Sequence, residues 1–136
     1  MPPTMATGEE LELIKSYVLL PMILSAYERD KQIIEDSVRN SEIYTDMIEA
    51  AMDRVTKQLT EIKREFRKRG IKVYEITRDM EGIRADFVCR GYTSNMRMLW
   101  SLITAQANER MRVYMNADAT TGNTDDSKQW KTEFFR

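Results

Sequence analysis

The chain has 136 residues, of which 42% are apolar and 32% charged, with a net charge of −1. That is the length of one domain and the composition of a globular chain, which excludes a disordered polyelectrolyte or a fibrous repeat. Histidine is absent and cysteine occurs once, at Cys89. This removes the commonest general base, zinc sites, and Cys/His or Ser/His/Asp catalysis, leaving only carboxylate chemistry.

Residues 1–7 read as a loose start without the basic stretch or cleavable apolar core of a signal peptide. Thr7 and Glu10 stand three apart and fit a capping box. A helix follows through Leu11, Ile14 and Val18 until Pro21, where either a new helix begins or one helix kinks. Ile23, Leu24, Tyr27, Ile34 and Val38 then recur at helical spacing, and Asn40-Ser41 ends this part and caps the next. The longest apolar run, Tyr17–Leu24, is too short for a membrane span.

The next helix is the clearest element. Ile43, Met47, Ala51, Val55, Leu59, Ile62 and Phe66 step by three or four residues, and Gly70 closes the helix after Arg67-Lys68-Arg69. Periodicity then changes to two. Ile71–Arg78 and Ile83–Arg90 read as strands around a turn at Asp79–Gly82, together a β-hairpin. Gly91 breaks the second strand. Thr93 or Ser94 caps a last helix with an apolar stripe of Met96, Leu99, Trp100, Ile103, Ala107, Met111 and Tyr114. From Asn116 the chain is a polar linker that ends in an aromatic peptide. The expected class is α+β, mostly helical, in the order α-α-β-β-α. One domain covers 1–115, followed by a tail at 116–136.

Charge is unevenly distributed. Residues 1–50 hold ten acids and four bases, whereas residues 51–115 hold eight acids and fourteen bases. Three surfaces follow from this pattern. The helix end Lys63-Arg64-Glu65-Phe66-Arg67-Lys68-Arg69 has five bases, more than the helix dipole calls for, and suits a phosphate-bearing partner. Strict alternation on the hairpin puts Lys72, Tyr74, Ile76 and Arg78 on one side of the first strand, and Arg84, Asp86, Val88 and Arg90 on one side of the second. If those sides coincide, four bases surround an aromatic ring, an arrangement suited to a nucleotide-type ligand or nucleic acid. The plain alternative is a wet hairpin face, and one residue of slip reverses the assignment. Acids of the first helix (Glu28, Asp30, Glu35, Asp36) could instead answer the basic helix end. The third surface is the tail, where Trp130, Phe134 and Phe135 form a candidate interface, within a homo-oligomer or on another protein.

Cys89 beside Phe87 reads as a small buried hydrophobe, and the ten methionines as adaptable core filling. The acid pairs sit at caps, turns and tail, away from any metal-like grouping. The expectation is a cytoplasmic, non-catalytic protein with no cofactor, no metal and no membrane partner.

The run EIKREFRKRGIKVYEITRD…IRADFVCRGY, from Glu61 to Tyr92, preceded by LLPMILSAYERDKQIIEDS, resembles a set of short uncharacterised proteins of phages and prophages of low-GC Gram-positive bacteria. The resemblance spans roughly residues 17–115 and leaves out the tail. It implies a phage accessory role, such as gene regulation or interference with host machinery, and assigns no functional residue.

Overall fold

The computed structural model describes residues 5–116. Three helices and one three-stranded antiparallel sheet follow in the order α1 (Gly8–Ser37), α2 (Glu42–Arg69), β1 (Ile71–Arg78), β2 (Gly82–Cys89), β3 (Tyr92–Leu99) and α3 (Trp100–Asn116). The α+β, mostly helical class is as expected. The element between Gly91 and Trp100 is not: it is a strand rather than the start of the last helix.

The capping box forms as its spacing predicts. The Glu10 amide donates to the Thr7 hydroxyl at 3.2 Å, and the Thr7 amide donates to Glu10 Oε1 at 3.1 Å. Pro21 lies inside a continuous α1. It brings no N–H to the Tyr17 carbonyl four residues back, yet it is exposed, and the helix continues because the packing on both sides of it holds. Ser41 occupies the N-cap position of α2 without a side-chain cap bond, whereas Gly70 ends the helix in the left-handed region at φ 68°, its amide bonded to the Phe66 carbonyl.

Asp79 accepts from the amides of Glu81 (2.8 Å) and Gly82 (2.9 Å) and so closes the turn between β1 and β2. Gly82 is required by packing, since a Cβ there would lie 1.9 Å from the Met98 carbonyl oxygen. Arg90 and Gly91 both have positive φ, at 50° and 85°, and join β2 to β3 across the Cys89–Tyr92 pair. A two-residue loop with both residues in that region matches the twist of the strands it joins.

Helices cover one face of the sheet. Ile83, Ala85, Phe87 and Cys89 of β2 point inward and are buried, together with Ile14, Leu19, Leu20, Ile23, Val55 and Ile62 of the helices. Cys89 is fully buried and free. Its thiol pKa is raised, first by burial and then by the neighbouring Glu10 carboxylate, so it is a poor nucleophile. A polar seam links the helices at the far end. The Tyr27 hydroxyl donates to the Met111 carbonyl at 2.7 Å, the Tyr114 hydroxyl meets the Gln58 side chain, and Arg54 donates to the Tyr114 carbonyl. No helix among the described residues is long and apolar enough to cross a membrane.

Candidate functional site

The ten cationic and aromatic positions expected to share one surface divide among four places. The cause is local. β1 and β2 pair in register from Ile71 with Cys89 to Val73 with Phe87, then shift, and resume with Glu75 opposite Asp86. Tyr74 is the extra residue of this bulge. One inserted residue reverses the side of everything after it. Lys72 therefore stays on the outer face opposite Val88, whereas Ile76 and Arg78 lie opposite Ala85 and Ile83, on the face toward the helices. The single hairpin face holding Lys72, Tyr74, Arg78, Arg84 and Arg90 does not exist.

Arg69 and Arg90 belong to a clamp. Arg90 meets the buried Glu10 carboxylate with two parallel bonds of 2.9 Å, and it also donates to the carbonyls of Arg69 (3.0 Å) and Met5 (3.2 Å). Arg69 contacts Glu9 and Glu65 at 3.1 Å each and Glu10 at 3.6 Å. The Arg90 hydrogen bonds hold the Glu10 carboxyl down to about 2. The acids of α1 do answer the end of α2, but they are Glu9 and Glu10. α1 and α2 form an antiparallel hairpin, so the end of one meets the start of the other. Glu28 instead pairs with Lys31, which also reaches Glu49.

Arg84 lies on the outer face, bound to Asp86 at 3.0 Å, and across from Arg97. Arg97 in turn grips Asp79 through two contacts of 2.8 and 3.1 Å. Arg64, Arg67 and Lys68 are exposed on α2, with Lys68 3.7 Å from Glu65. Trp130, Phe134 and Phe135 lie outside the described residues.

Lys63 and Arg78 come together in a cleft of about 900 Å³ between α1, the end of α2, the inner edge of β1 and α3. A cavity of that size is ample for a small-molecule ligand. Along α1 it runs from Tyr17 to Arg29, roughly 18 Å at the helical rise. Its walls are mainly apolar, with Pro21, Met22, Ile76, Ile103 and Met111, and two aromatic rings, Tyr17 and Trp100. Tyr17 is held against Phe66, ring centres 5.1 Å apart, and the Trp100 indole donates to the Asp79 carbonyl at 2.8 Å. Three cations line the cleft, Arg29, Lys63 and Arg78, and none of the described lining residues is acidic. Neither Lys63 nor Arg78 has an ion-pair or hydrogen-bond partner among the described residues, and Arg29 has only Asp30 at 3.8 Å. Uncompensated positive charge over an apolar floor attracts an anion with an apolar or aromatic body.

Arg29, Tyr17 and Trp100 were not among the sequence candidates. Arg29 sits within Glu28-Arg29-Asp30-Lys31, which reads as a solvated helix face. Trp100 reads as part of a core stripe. No group of three or more His, Cys, Asp or Glu among the described residues is placed to hold a metal ion.

The architecture is that of a small α+β protein in which a long helical hairpin and a third helix cover one side of a meander. Residues 5–119 match a family model described as YhjD protein, and the chain belongs to that family. It is similar to "Uncharacterized protein YhjD" of Bacillus subtilis (strain 168), 32% identical over 110 residues, which is 80% of this chain and 92% of that one. A relative in a low-GC Gram-positive bacterium agrees with that part of the resemblance. No solved structure matches.

Proposed function

We propose that this protein is a non-catalytic binding protein whose cleft holds a compact anionic ligand of nucleotide type. The observation that carries the reading is the convergence of Arg29, Lys63 and Arg78 over apolar and aromatic walls that, among the described residues, contain no carboxylate. Fork and ammonium donors suit phosphate oxygens, and the rings of Tyr17 and Trp100 suit a base. A concave site favours such a ligand over a nucleic-acid strand, which needs a long basic track. The reading includes a cytoplasmic location, consistent with the buried thiol of Cys89. It includes self-association, for which the outer edges of β1 and β3, unpaired among the described residues, leave room. The phage accessory role rests on the resemblance alone.

Titration with a fluorescent analogue of adenosine triphosphate tests the site. Saturable binding with shallow salt dependence is expected. Lys63→Ala with Arg78→Ala should weaken it at least tenfold, since each lost charge-assisted bond is worth roughly 1.5–3 kcal/mol. Absence of saturable binding to the unaltered protein, or equal affinity in the double variant, would sink the reading. Binding of single-stranded DNA that falls steeply with salt would transfer it to nucleic acid.

A second reading has one observation in its favour. The Glu10–Arg90 and Glu9–Arg69 contacts spend part of the charge asymmetry inside the fold. This fits a protein that blocks or bridges host proteins, with charges used for assembly and the aromatic tail as contact.

A further inference from the structure

Two residues that the helical pattern assigns to the core are exposed in the structure. Ile43 and Met47 open the apolar stripe of α2, yet 63% and 50% of their surface is accessible. They lie eleven and seven residues before Arg54, on the flank of α2 that Arg54 and Gln58 present to Tyr114 of α3. That flank is covered as far as α3 reaches and bare beyond it. α1 shows the same limit. Tyr27 is tied to Met111, but Ile33 further along α1 and Val38 at its C-cap are exposed, at 55% and 39%. α1 continues ten residues past Tyr27, about 15 Å, whereas α3 continues only five past Met111, about 7 Å. The tip of the α1–α2 hairpin thus overhangs the end of α3. Where they meet, a groove of about 550 Å³ runs between Tyr27, Ile33 and Ile34 of α1, Ile48 of α2, and Met111 and Met115 of α3.

We propose that this groove and the bare tip are the docking site for the chain's own residues 128–136, with Trp130, Phe134 and Phe135 as the inserted rings. Asn116, the last residue of α3, itself lines the groove, so the following segment starts at the site. Fourteen residues separate Asn116 from Trp130, a length sufficient for a reach of about 20 Å by the random-chain relation. Such a tether holds the rings near the groove at an effective concentration on the order of millimolar. Charge agrees as well. Residues 28–49, which build the tip, hold seven acids and three bases, whereas residues 128–136 hold Lys128, Lys131 and Arg136 against a single acid, Glu133. The match to the family model ends at residue 119, so the docked segment is a feature of this chain rather than of the matched family region.

Tryptophan fluorescence in a Trp100→Phe background, where Trp130 is the only indole, tests the proposal. Emission shifted to the blue, shielded from iodide and unchanged on dilution is expected. Ile43→Asp with Met47→Asp should return it to the emission of the free 128–136 peptide without altering the circular dichroism. Water-like emission, or shifted emission that the double variant leaves unmoved, overturns the proposal. Emission that reddens on dilution together with loss of a dimer also overturns it, because the occupant is then a second copy. Should Trp100→Phe not fold, a benzoylphenylalanine in place of Phe134 gives the same decision. A photocrosslink within one chain to residues 33–48 supports the proposal, and a crosslink elsewhere or between chains refutes it.

Discussion

The clamp at Glu10 and the cleft at Lys63 draw on the same basic stretch of chain, from Lys63 to Arg90, and use it in opposite ways. At the clamp every cation faces acids, and Arg90 and Arg69 close the N-terminus, the end of α2 and the β2–β3 turn onto one buried carboxylate. In the cleft Lys63 and Arg78 have no acid beside them among the described residues, and Arg29 has only Asp30 at 3.8 Å. The difference teaches that a basic run in sequence is not a basic surface. Whether a cation is available depends on what the antiparallel hairpin of α1 and α2 brings beside it, and the first turn of α1 is acidic where the middle of α1 is not.

Substitutions should separate the two regions, the largest effect first. Arg90→Ala leaves the Glu10 carboxylate buried without its main partner and should give the largest fall in Tm of the set, read by thermal denaturation. An unchanged Tm would mean that the clamp is solvated and that the comparison fails. Acid titration probes the same carboxylate. The folded value of Glu10 lies at about 2, below its ordinary 4.5, so its contribution is complete above pH 4.5 and disappears as pH falls from 4.5 towards 2. The amount is up to about 3 kcal/mol. Denaturant midpoints across that range should therefore fall more steeply for the unaltered protein than for Glu10→Gln. Smallest in stability are the cleft residues. Arg78→Ala should alter stability by no more than about 0.5 kcal/mol while weakening anion binding. Lys72→Ala, two residues before the bulge at Tyr74 and on the face opposite to Arg78, should leave both unchanged. A drop in nucleotide affinity on replacing Lys72 would put the binding surface back on the outer face of the sheet.

The elements that local chemistry alone specifies were legible in the sequence. Thr7 and Glu10 make their reciprocal cap, Gly70 ends α2 in the left-handed region, and Cys89 is buried beside Phe87. β3 was not legible. Thr93 and Ser94 resemble a helix cap, and the inner side of this strand reads Tyr92, Ser94, Met96 and Met98, interrupted by a serine, so alternation is weak. The Arg90-Gly91 turn lacks the Asn-Gly or Asp-Gly signature of such loops; the Arg90 backbone is held there by the contacts of its own side chain with Glu10 and the Arg69 carbonyl. The cleft was half legible. Lys63 and Arg78 were candidates for their charge, but the company they keep depends on a register shift that no pattern of residue types announces. Ile43 and Met47 failed differently: their periodicity is correct, and the element that would cover them is missing from residues 5–116.

The extra residue at Tyr74 also bears on how kinship in this family is to be weighed. Sequence comparison treats a one-residue gap in a strand as a minor event. Here the bulge absorbs such a gap: with Tyr74 removed the strand would alternate without a break, and Ile76 and Arg78 would still lie opposite Ala85 and Ile83 on the side of the helices. A homologue that keeps the residue but pairs it in plain alternation would instead turn both outward, Arg78 beside Arg84. Two homologues could thus share every cation and differ in where the charge points. For β1, whether the ladder shifts after Val73 is a better guide to a shared binding surface than the identity of the residues within it.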